Sequence, residues 1–219
     1  MDQDRADPRS DADGGEGRAG DPEGRRRSLV ELVLRRGYTR AEVPFRLSSG
    51  GMSRDYVDLR RAVAAGADLR LAAEAVLAHL EGAGVAFDAI GGMTMGADPV
   101  AHAVALLSGR RWFSVRKAEK SHGSRRRIEG ADLGPGVSVV VFEDTVSTGG
   151  SLLDALEVVA ATGAVVAGCC TILDRGEGAR RRFAGRSVRY EALLTYADLG
   201  IEPVDPGPDG RGGRAEAPG

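Results

Sequence analysis

The residues best suited to chemistry form one continuous stretch, in which two carboxylates precede a loop of hydroxyls and glycines. Glu143 and Asp144 follow an apolar run, and Ser147 to Ser151 supply small side chains and backbone N–H groups before a helical pattern begins at Leu152. Adjacent carboxylates repel a phosphate but bind sugar hydroxyls, directly or through a divalent metal. A neutral loop leading into a helix binds a phosphate instead. The stretch therefore predicts a ribose-phosphate site.

The elements around this stretch indicate where it lies in the fold. Val139 to Phe142 form a β-branched-rich block typical of a strand that is buried on both faces of a parallel sheet. Ligands bind beyond the carboxyl ends of such strands, where Glu143 and Asp144, here called the acid pair, are expected. Ser147 to Ser151, here called the phosphate loop, match neither of the two glycine-rich nucleotide motifs, G-x-x-x-x-G-K-[ST] and G-x-G-x-x-G. An ordinary strand, turn and helix remains the alternative.

A second group of polar residues is cationic and follows another predicted strand. Arg116, Lys117, Lys120 and His122 lie within a single short segment. So many cations suit a diphosphate better than a single carboxylate. The residues from Gly123 to Gly130 lack apolar periodicity, which predicts a mobile segment that can close over substrate. A solvated charged connector is the alternative.

Composition limits the classes of protein that this chain can belong to. Its 219 residues are 42% hydrophobic and 28% charged, which suits one domain with a substantial core. The net charge of −2 provides no general attraction to nucleic acid or to an anionic membrane. No apolar stretch approaches the roughly 18 residues that span a bilayer, and no signal peptide is expected. The adjacent Cys169 and Cys170 suit buried strand positions better than a disulfide or a metal site, which favours a reducing cytoplasm.

Both ends of the chain are predicted to be disordered tails. Residues 1–27 are rich in charge and glycine, and residues 205–219 are rich in glycine and proline. Ser28 and Glu31 have the spacing of a capping box, which predicts that the ordered domain, residues 28–204, begins with a helix over Leu29 to Arg36.

Between the tails, strand and helix patterns alternate, which predicts a parallel sheet covered by helices on both faces. An antiparallel hairpin region is expected near Pro44 to Asp58. His79 and His102 are expected to be packing or surface residues, and Arg125 to Arg127 to be surface charge. Helices are expected over Leu69 to Leu80, Ala97 to Leu107 and Leu152 to Ala160, and strands near Asp88 to Ile90, Trp112 to Arg116, Ser138 to Glu143, Val165 to Leu173 and Arg189 to Thr195.

These motifs resemble those of a known family. Glu143 to Ser151 resemble the phosphoribosyl diphosphate (PRPP) signature of type I phosphoribosyltransferases, and Phe113 to Gly123 resemble the strand and catalytic loop of orotate phosphoribosyltransferases. Leu47 to Gly50 with Tyr56 to Asp58, and Leu173 to Arg175, are similar to further segments of that family. The resemblance extends from about Leu29 to Glu202. It implies an α/β fold of the type I phosphoribosyltransferase kind, with a small N-terminal hood of helix and antiparallel strands.

The resemblance also implies a reaction and a set of site residues. Orotate and PRPP would give orotidine 5′-phosphate and diphosphate in UMP biosynthesis. Lys120 and His122 would be catalytic, and Ser147 and Arg175 would bind orotate. The residues expected at PRPP are Arg116, Lys117, Lys120, His122, Glu143, Asp144, Thr145, Val146, Ser147, Thr148, Gly149, Gly150 and Ser151.

The resemblance implies a cofactor and a partner as well. Mg²⁺ would be carried by the substrate near the acid pair, without a metal site of the protein's own. A homodimer is expected, in which Lys117 and its loop serve the neighbouring subunit. The chain departs from common family patterns at Gly51, at Asp55 and in the loop from Gly91 to Pro99, which lacks a Tyr-Lys pair. A phosphoribosyltransferase for another base, or a PRPP-sensing regulator without turnover, are the alternatives.

Overall fold

The computed structural model describes residues 21–46, 52–118 and 127–203. The strands are β1 (Tyr38–Arg46), β2 (Met52–Val57), β3 (Ala89–Met93), β4 (Arg111–Val115), β5 (Ile128–Gly130), β6 (Ser138–Val146), β7 (Val165–Asp174) and β8 (Tyr190–Thr195). The helices are α1 (Pro22–Leu32), α2 (Leu59–Ala62), α3 (Gly66–Gly82), α4 (Asp98–Ser108), α5 (Gly150–Ala160) and α6 (Gly178–Phe183), with a π-helical turn at Val33–Gly37 and a 3₁₀ turn at Ala197–Leu199. None of these described helices is long and apolar enough to cross a membrane.

Six strands form the central sheet in the order β5-β4-β3-β6-β7-β8. All neighbouring pairs are parallel except β4 and β5, which confirms the predicted α/β class. The chain runs outward from β3 to β4 and β5, then returns to place β6 on the other side of β3. The carboxyl ends of β3 and β6 thus flank a topological switch point, where open α/β sheets form their ligand crevice.

The alternating side chains of β6 connect two separate apolar layers. Val140 and Phe142 pack with the helices α1, α3 and α4, whereas Val139 and Val141 pack with α5 and α6. All four side chains are fully buried, as the sequence predicted for a strand covered on both faces. The acid pair therefore follows a strand segment that is fixed from both sides.

Two glycines allow β3 to lie between its neighbours at this place. A Cβ atom on Gly91 would lie 1.8 Å from the carbonyl oxygen of Phe113, and one on Gly92 would lie 1.7 Å from that of Phe142. No side chain can be accommodated at such distances. The glycine pair is thus a packing requirement of the centre of the sheet.

A small antiparallel ribbon of β1 and β2 lies next to the main sheet and forms the expected hood together with α1. The Tyr38 hydroxyl donates a 2.7 Å hydrogen bond to Asp55, and Arg40 lies 3.4 Å from the same carboxylate. The bond to Asp55 is the main reason that the pKa of Tyr38 is raised. Asp55, the departure noted in the sequence, therefore holds the two strands of the ribbon together.

The predicted start of the first helix was wrong. Helix α1 begins at Pro22, where the Asp21 carboxylate caps it by accepting a hydrogen bond from the Glu23 N–H, so Ser28 lies inside the helix and is no cap. An aspartate followed by proline is a strong helix start. Arg26, assigned to the tail, is anchored by an ion pair of 2.6 Å to Asp198.

Among the elements absent from the sequence prediction are a short edge strand and a short helix. Ile128–Gly130 form the edge strand β5, so the predicted mobile segment does not extend to Gly130. Gly178–Phe183 form α6, whose Ala179 and Phe183 are buried in the α5 layer. Both elements are too short to carry a periodic apolar pattern.

Cys169 and Cys170 lie in β7 as buried free thiols. Burial raises the pKa of Cys169 to about 12 and raises that of Cys170 further. They are core residues, as predicted.

Candidate active site

A cavity of about 900 Å³ opens at the switch point. It is lined by the ends of β2, β3, β6 and β7, by one face of β4, and by the first turns of α2, α4 and α5. Its wall contains carboxylates and cations in close proximity, as a site for a charged, hydroxyl-rich ligand requires.

The acid pair lies on the wall of this cavity. Burial, followed by the charge of Asp144, raises the pKa of Glu143 to about 8, while Lys117 acts in the opposite direction. The Glu143 Oε2 atom is buried and has no hydrogen-bond partner among the described residues. Asp144 Oδ1 accepts a 2.8 Å hydrogen bond from the Thr145 N–H, and burial raises the pKa of Asp144 as well. Such carboxylates are suited to binding hydroxyl donors or a cation.

The phosphate loop connects β6 to α5. Helix α5 begins at Gly150, two residues before the predicted start, because Gly149 adopts a left-handed φ of 75° as the N-cap. No side chain caps this end, so its first N–H groups are available to an anion at the positive end of the helix. Thr145 and Ser151 line the cavity, whereas the residues from Val146 to Gly150 are not part of its described lining.

Arg175 follows β7 and reaches across the cavity to the hood. Its Nη2 atom donates a 3.0 Å hydrogen bond to the Val57 carbonyl, and its backbone N–H donates to the Val146 carbonyl at 2.8 Å. Its Nε–H is buried without a partner among the described residues. A half-buried guanidinium with a buried, unused donor can bind a planar carboxylate or carbonyl group.

The two cationic residues at the end of β4 are held in place by contacts to neighbouring side chains. Arg116 and Lys117 both line the cavity, and Arg116 forms a 3.3 Å ion pair with Glu129. The Arg127 side chain donates to the carbonyls of Arg116 at 3.0 Å and of Lys117 at 3.3 Å. The sequence had indicated that Arg127 is a surface charge. In the structure it instead holds the backbone of the two cavity residues in place.

Several cavity residues escaped the sequence analysis. Asp98, in the first turn of α4, accepts a 2.7 Å hydrogen bond from the buried Ser114. His102 is exposed, as predicted, but it also lines the cavity, where its ring lies 4.4 Å from that of Trp112. Arg60 lines the cavity from α2. Of these residues, only Asp98 could have been found from the sequence, since it is an acid at the start of a helix, after the glycine-containing loop that follows β3.

Comparison with known proteins places the chain in a family. No protein-family profile matches it. The orotate phosphoribosyltransferase of Corynebacterium glutamicum is 41% identical over 178 residues, which are 80% of this chain and 94% of that protein. That of Streptomyces avermitilis is 47% identical over 162 residues, which are 71% of this chain and 87% of that protein. This chain belongs to the orotate phosphoribosyltransferase family.

Solved structures of the orotate phosphoribosyltransferase family agree with the fold. The Mycobacterium tuberculosis enzyme in complex with PRPP matches with a TM-score of 0.65 and 37% identity, covering 81% of this chain and 99% of that chain. The Aeropyrum pernix enzyme matches with a TM-score of 0.68 and 29% identity over 78% of this chain and 95% of that chain. The expected type I phosphoribosyltransferase fold is thus confirmed.

The structure brings seven of the fourteen expected family residues to one cavity, although their roles stay predictions. Lys120 and His122 lie outside the described residues, as does the segment of residues 47–51 with Gly51. Ser147 is half-buried in the phosphate loop. The predicted residues that line the cavity are Arg116, Lys117, Glu143, Asp144, Thr145, Ser151 and Arg175.

Proposed function

We propose that this protein transfers the 5-phosphoribosyl group of PRPP to orotate, giving orotidine 5′-phosphate and diphosphate in de novo UMP biosynthesis. One observation carries the proposal: a single cavity at the switch point joins an acid pair with one unsatisfied oxygen, the N-terminus of α5 and an arginine with a buried unused donor. The first two suit a ribose phosphate, and the third suits an acceptor with a carboxylate.

In this proposal the 5′-phosphate and the ribose hydroxyls of PRPP bind to different parts of β6 and the phosphate loop. The 5′-phosphate lies against the phosphate loop and the adjoining Thr145 and Val146, where backbone N–H groups and hydroxyls donate to it. The ribose hydroxyls lie at the acid pair, where the unpartnered Glu143 Oε2 can accept a hydrogen bond. Because burial raises the pKa of Glu143 to about 8, a ligand that binds its carboxylate form at neutral pH displaces a proton.

Mg²⁺ fits the same place. Two buried carboxylates with an unsatisfied oxygen are hard ligands of the kind that Mg²⁺ prefers. When bound with the diphosphate and ribose, Mg²⁺ would neutralise part of the negative charge of the leaving group. Glu143 and Asp144 would hold it through the ribose hydroxyls or water rather than through a closed protein cage.

The departure of diphosphate is the step for which cations matter most. The bond from ribose C1′ to the diphosphate oxygen breaks as the orotate ring nitrogen, having lost its proton, bonds to C1′. Negative charge then accumulates on the diphosphate, and cations at this position lower the barrier. Arg116 and Lys117 line the described part of the site, and we assign the catalytic positions to Lys120 and His122.

Orotate would bind on the hood side of the cavity. The Arg175 guanidinium is anchored through Val57 and keeps an Nε–H for the orotate carboxylate or a ring carbonyl. The Ser147 hydroxyl would supply a second contact, from the phosphate loop. This arrangement sets the acceptor beside the ribose that the acid pair holds.

The expected assembly and compartment complete the proposal. We propose a homodimer in which the loop after Lys117 reaches the partner's cavity, since that loop begins at an exposed edge of the site. We place the reaction in the cytoplasm, where the buried thiols of Cys169 and Cys170 stay reduced.

The decisive experiment is a substrate panel. The purified protein is incubated with PRPP, Mg²⁺ and orotate, uracil, adenine, guanine or hypoxanthine, while base consumption and diphosphate release are followed. Turnover of orotate alone supports the proposal. Turnover of a purine without orotate points to a different acceptor, and PRPP binding without turnover of any base points to a regulator.

A further inference from the structure

A carbonyl of the phosphate loop is held by a side chain from a distant helix. The Arg182 Nε–H of α6 donates a 2.6 Å hydrogen bond to the Thr148 carbonyl, across 34 positions of the sequence. Arg182 is half-buried, and the loop that it contacts contains no cation of its own. A hydrogen bond from a charged donor to a backbone carbonyl is among the stronger polar contacts in proteins.

Helix α6 is a rigid support for this contact. A Cβ atom on Gly149 would lie 3.2 Å from Ala179 Cα and 3.3 Å from the Phe183 ring, so the helix packs directly on the loop. Phe183 stacks on Tyr190 with ring centroids 5.2 Å apart. The Tyr190 hydroxyl donates a 2.9 Å hydrogen bond to the buried Asp174, at the end of β7. The position of Arg182 is therefore fixed by packing that reaches the sheet.

The contact determines the orientation of an anion-binding group. The Thr148 carbonyl and the Gly149 N–H belong to one planar trans peptide, so they point in opposite directions. A donor that holds the carbonyl toward α6 therefore turns the Gly149 N–H away from α6. That N–H immediately precedes the uncapped N-terminus of α5, where the 5′-phosphate is expected.

We propose that Arg182 is a positioning residue for the 5′-phosphate: it fixes the Thr148–Gly149 peptide so that the loop N–H groups converge on the phosphate before substrate arrives. The guanidinium also places a positive charge behind an otherwise neutral loop. The inference rests on the proposed function, because it takes the phosphate loop as the site of the 5′-phosphate. It predicts a defect confined to the monophosphate end of PRPP.

The test compares Arg182→Met and Arg182→Lys with wild type. Methionine keeps an unbranched stem of similar length and removes the donor and the charge, whereas lysine keeps both in a weaker geometry. The control is Arg180→Met, since Arg180 is exposed on the same helix and pairs only loosely with Glu177 at 3.9 Å. The probes are ribose 5-phosphate and inorganic diphosphate, whose Kd values are measured by calorimetry, together with kcat and KM for PRPP.

For Arg182→Met we expect Kd for ribose 5-phosphate and KM for PRPP to rise about tenfold, the loss typical of one charged hydrogen bond. Diphosphate affinity and kcat should change less than twofold. Arg182→Lys should recover part of the loss, and Arg180→Met should match wild type. The unfolding midpoint of each variant is recorded alongside.

Unchanged ribose 5-phosphate affinity in Arg182→Met would overturn the inference. An equal loss of affinity for both ligands, together with a lowered unfolding midpoint, would also overturn it, because it indicates a purely structural role. If the methionine variant does not fold, lysine decides: a Kd for ribose 5-phosphate that rises about two- to tenfold while diphosphate affinity is unchanged supports the positioning role, and an unchanged Kd for ribose 5-phosphate overturns it. Orotate turnover by wild type tests the proposed function separately, because the variant comparison needs only ribose 5-phosphate binding.

Discussion

Glu143→Gln tests the electrostatics of the acid pair. In the ligand-free protein, burial and the neighbouring Asp144 raise the pKa of Glu143 from its ordinary 4.5 to about 8. Between these two pH values the folded protein holds a proton that the unfolded chain has released. The free energy of unfolding therefore falls as pH rises from 4.5 through 8. Glutamine imitates the protonated carboxyl and removes this dependence.

The magnitude follows from the size of that interval. At about 1.4 kcal/mol for each pH unit, a pKa moved from 4.5 to about 8 corresponds to about 5 kcal/mol. Water that reaches the open cavity and relaxation of the wall reduce this amount, so we expect Glu143→Gln to be about 2 kcal/mol more stable than wild type at pH 9. At pH 4.5 both proteins carry an uncharged group, and their stabilities should agree.

The assay is urea denaturation without ligands at pH 4.5, 7 and 9. Glu157→Gln, a change of the same kind at an exposed position of α5, serves as the control and should follow the wild-type curve at each pH. Stability curves of Glu143→Gln and wild type that run parallel from pH 4.5 to 9 would refute the reasoning. The same variant should lose affinity for PRPP, since an amide binds Mg²⁺ and ribose hydroxyls less well than a carboxylate.

Three further predictions concern the cavity and the sheet. Lys120→Ala should lower kcat about 100-fold or more in a steady-state assay, with an unchanged unfolding midpoint, and full activity would exclude this cation from the mechanism. Arg175→Met should raise KM for orotate at least about tenfold while Kd for PRPP stays within a few-fold, because its guanidinium is assigned to the base; a matching rise for both substrates would contradict that assignment. Gly92→Ala should lower the free energy of unfolding by about 3 kcal/mol in urea, since the added Cβ meets the Phe142 carbonyl, and a wild-type midpoint would disprove that contact.

The parts of the site predicted from the sequence are those that local pattern determines. The run from Val139 to Phe142 is apolar at every position, so burial on both faces and the place of the acid pair follow from the sequence alone. The phosphate loop is contiguous with that strand and could be located with it. Cys169 and Cys170 were placed in the core for a similar reason.

The parts that could not be predicted depend on contacts between distant segments. Arg127 and Arg182 each belong to a run of arginines, and nothing in the sequence of those runs distinguishes the residue that binds a backbone carbonyl from the arginines beside it. Strand β5 consists of three residues and exists because it pairs with β4. At the N-terminus, the Ser28 capping pattern is genuine in sequence, but the stronger start at Asp21 and Pro22 precedes it.

The place of β6 between β3 and β7 has a consequence for how the protein acquires its site. The pairing of β3 with β6 joins segments 50 positions apart. Strand pairings with such a sequence separation form slowly, because a long loop must close, at a cost in entropy, before any stabilising contact forms. The acid pair and Arg175 meet only when that closure is complete, so substrate binding during refolding would mark the final assembly of the sheet rather than the earlier appearance of helices.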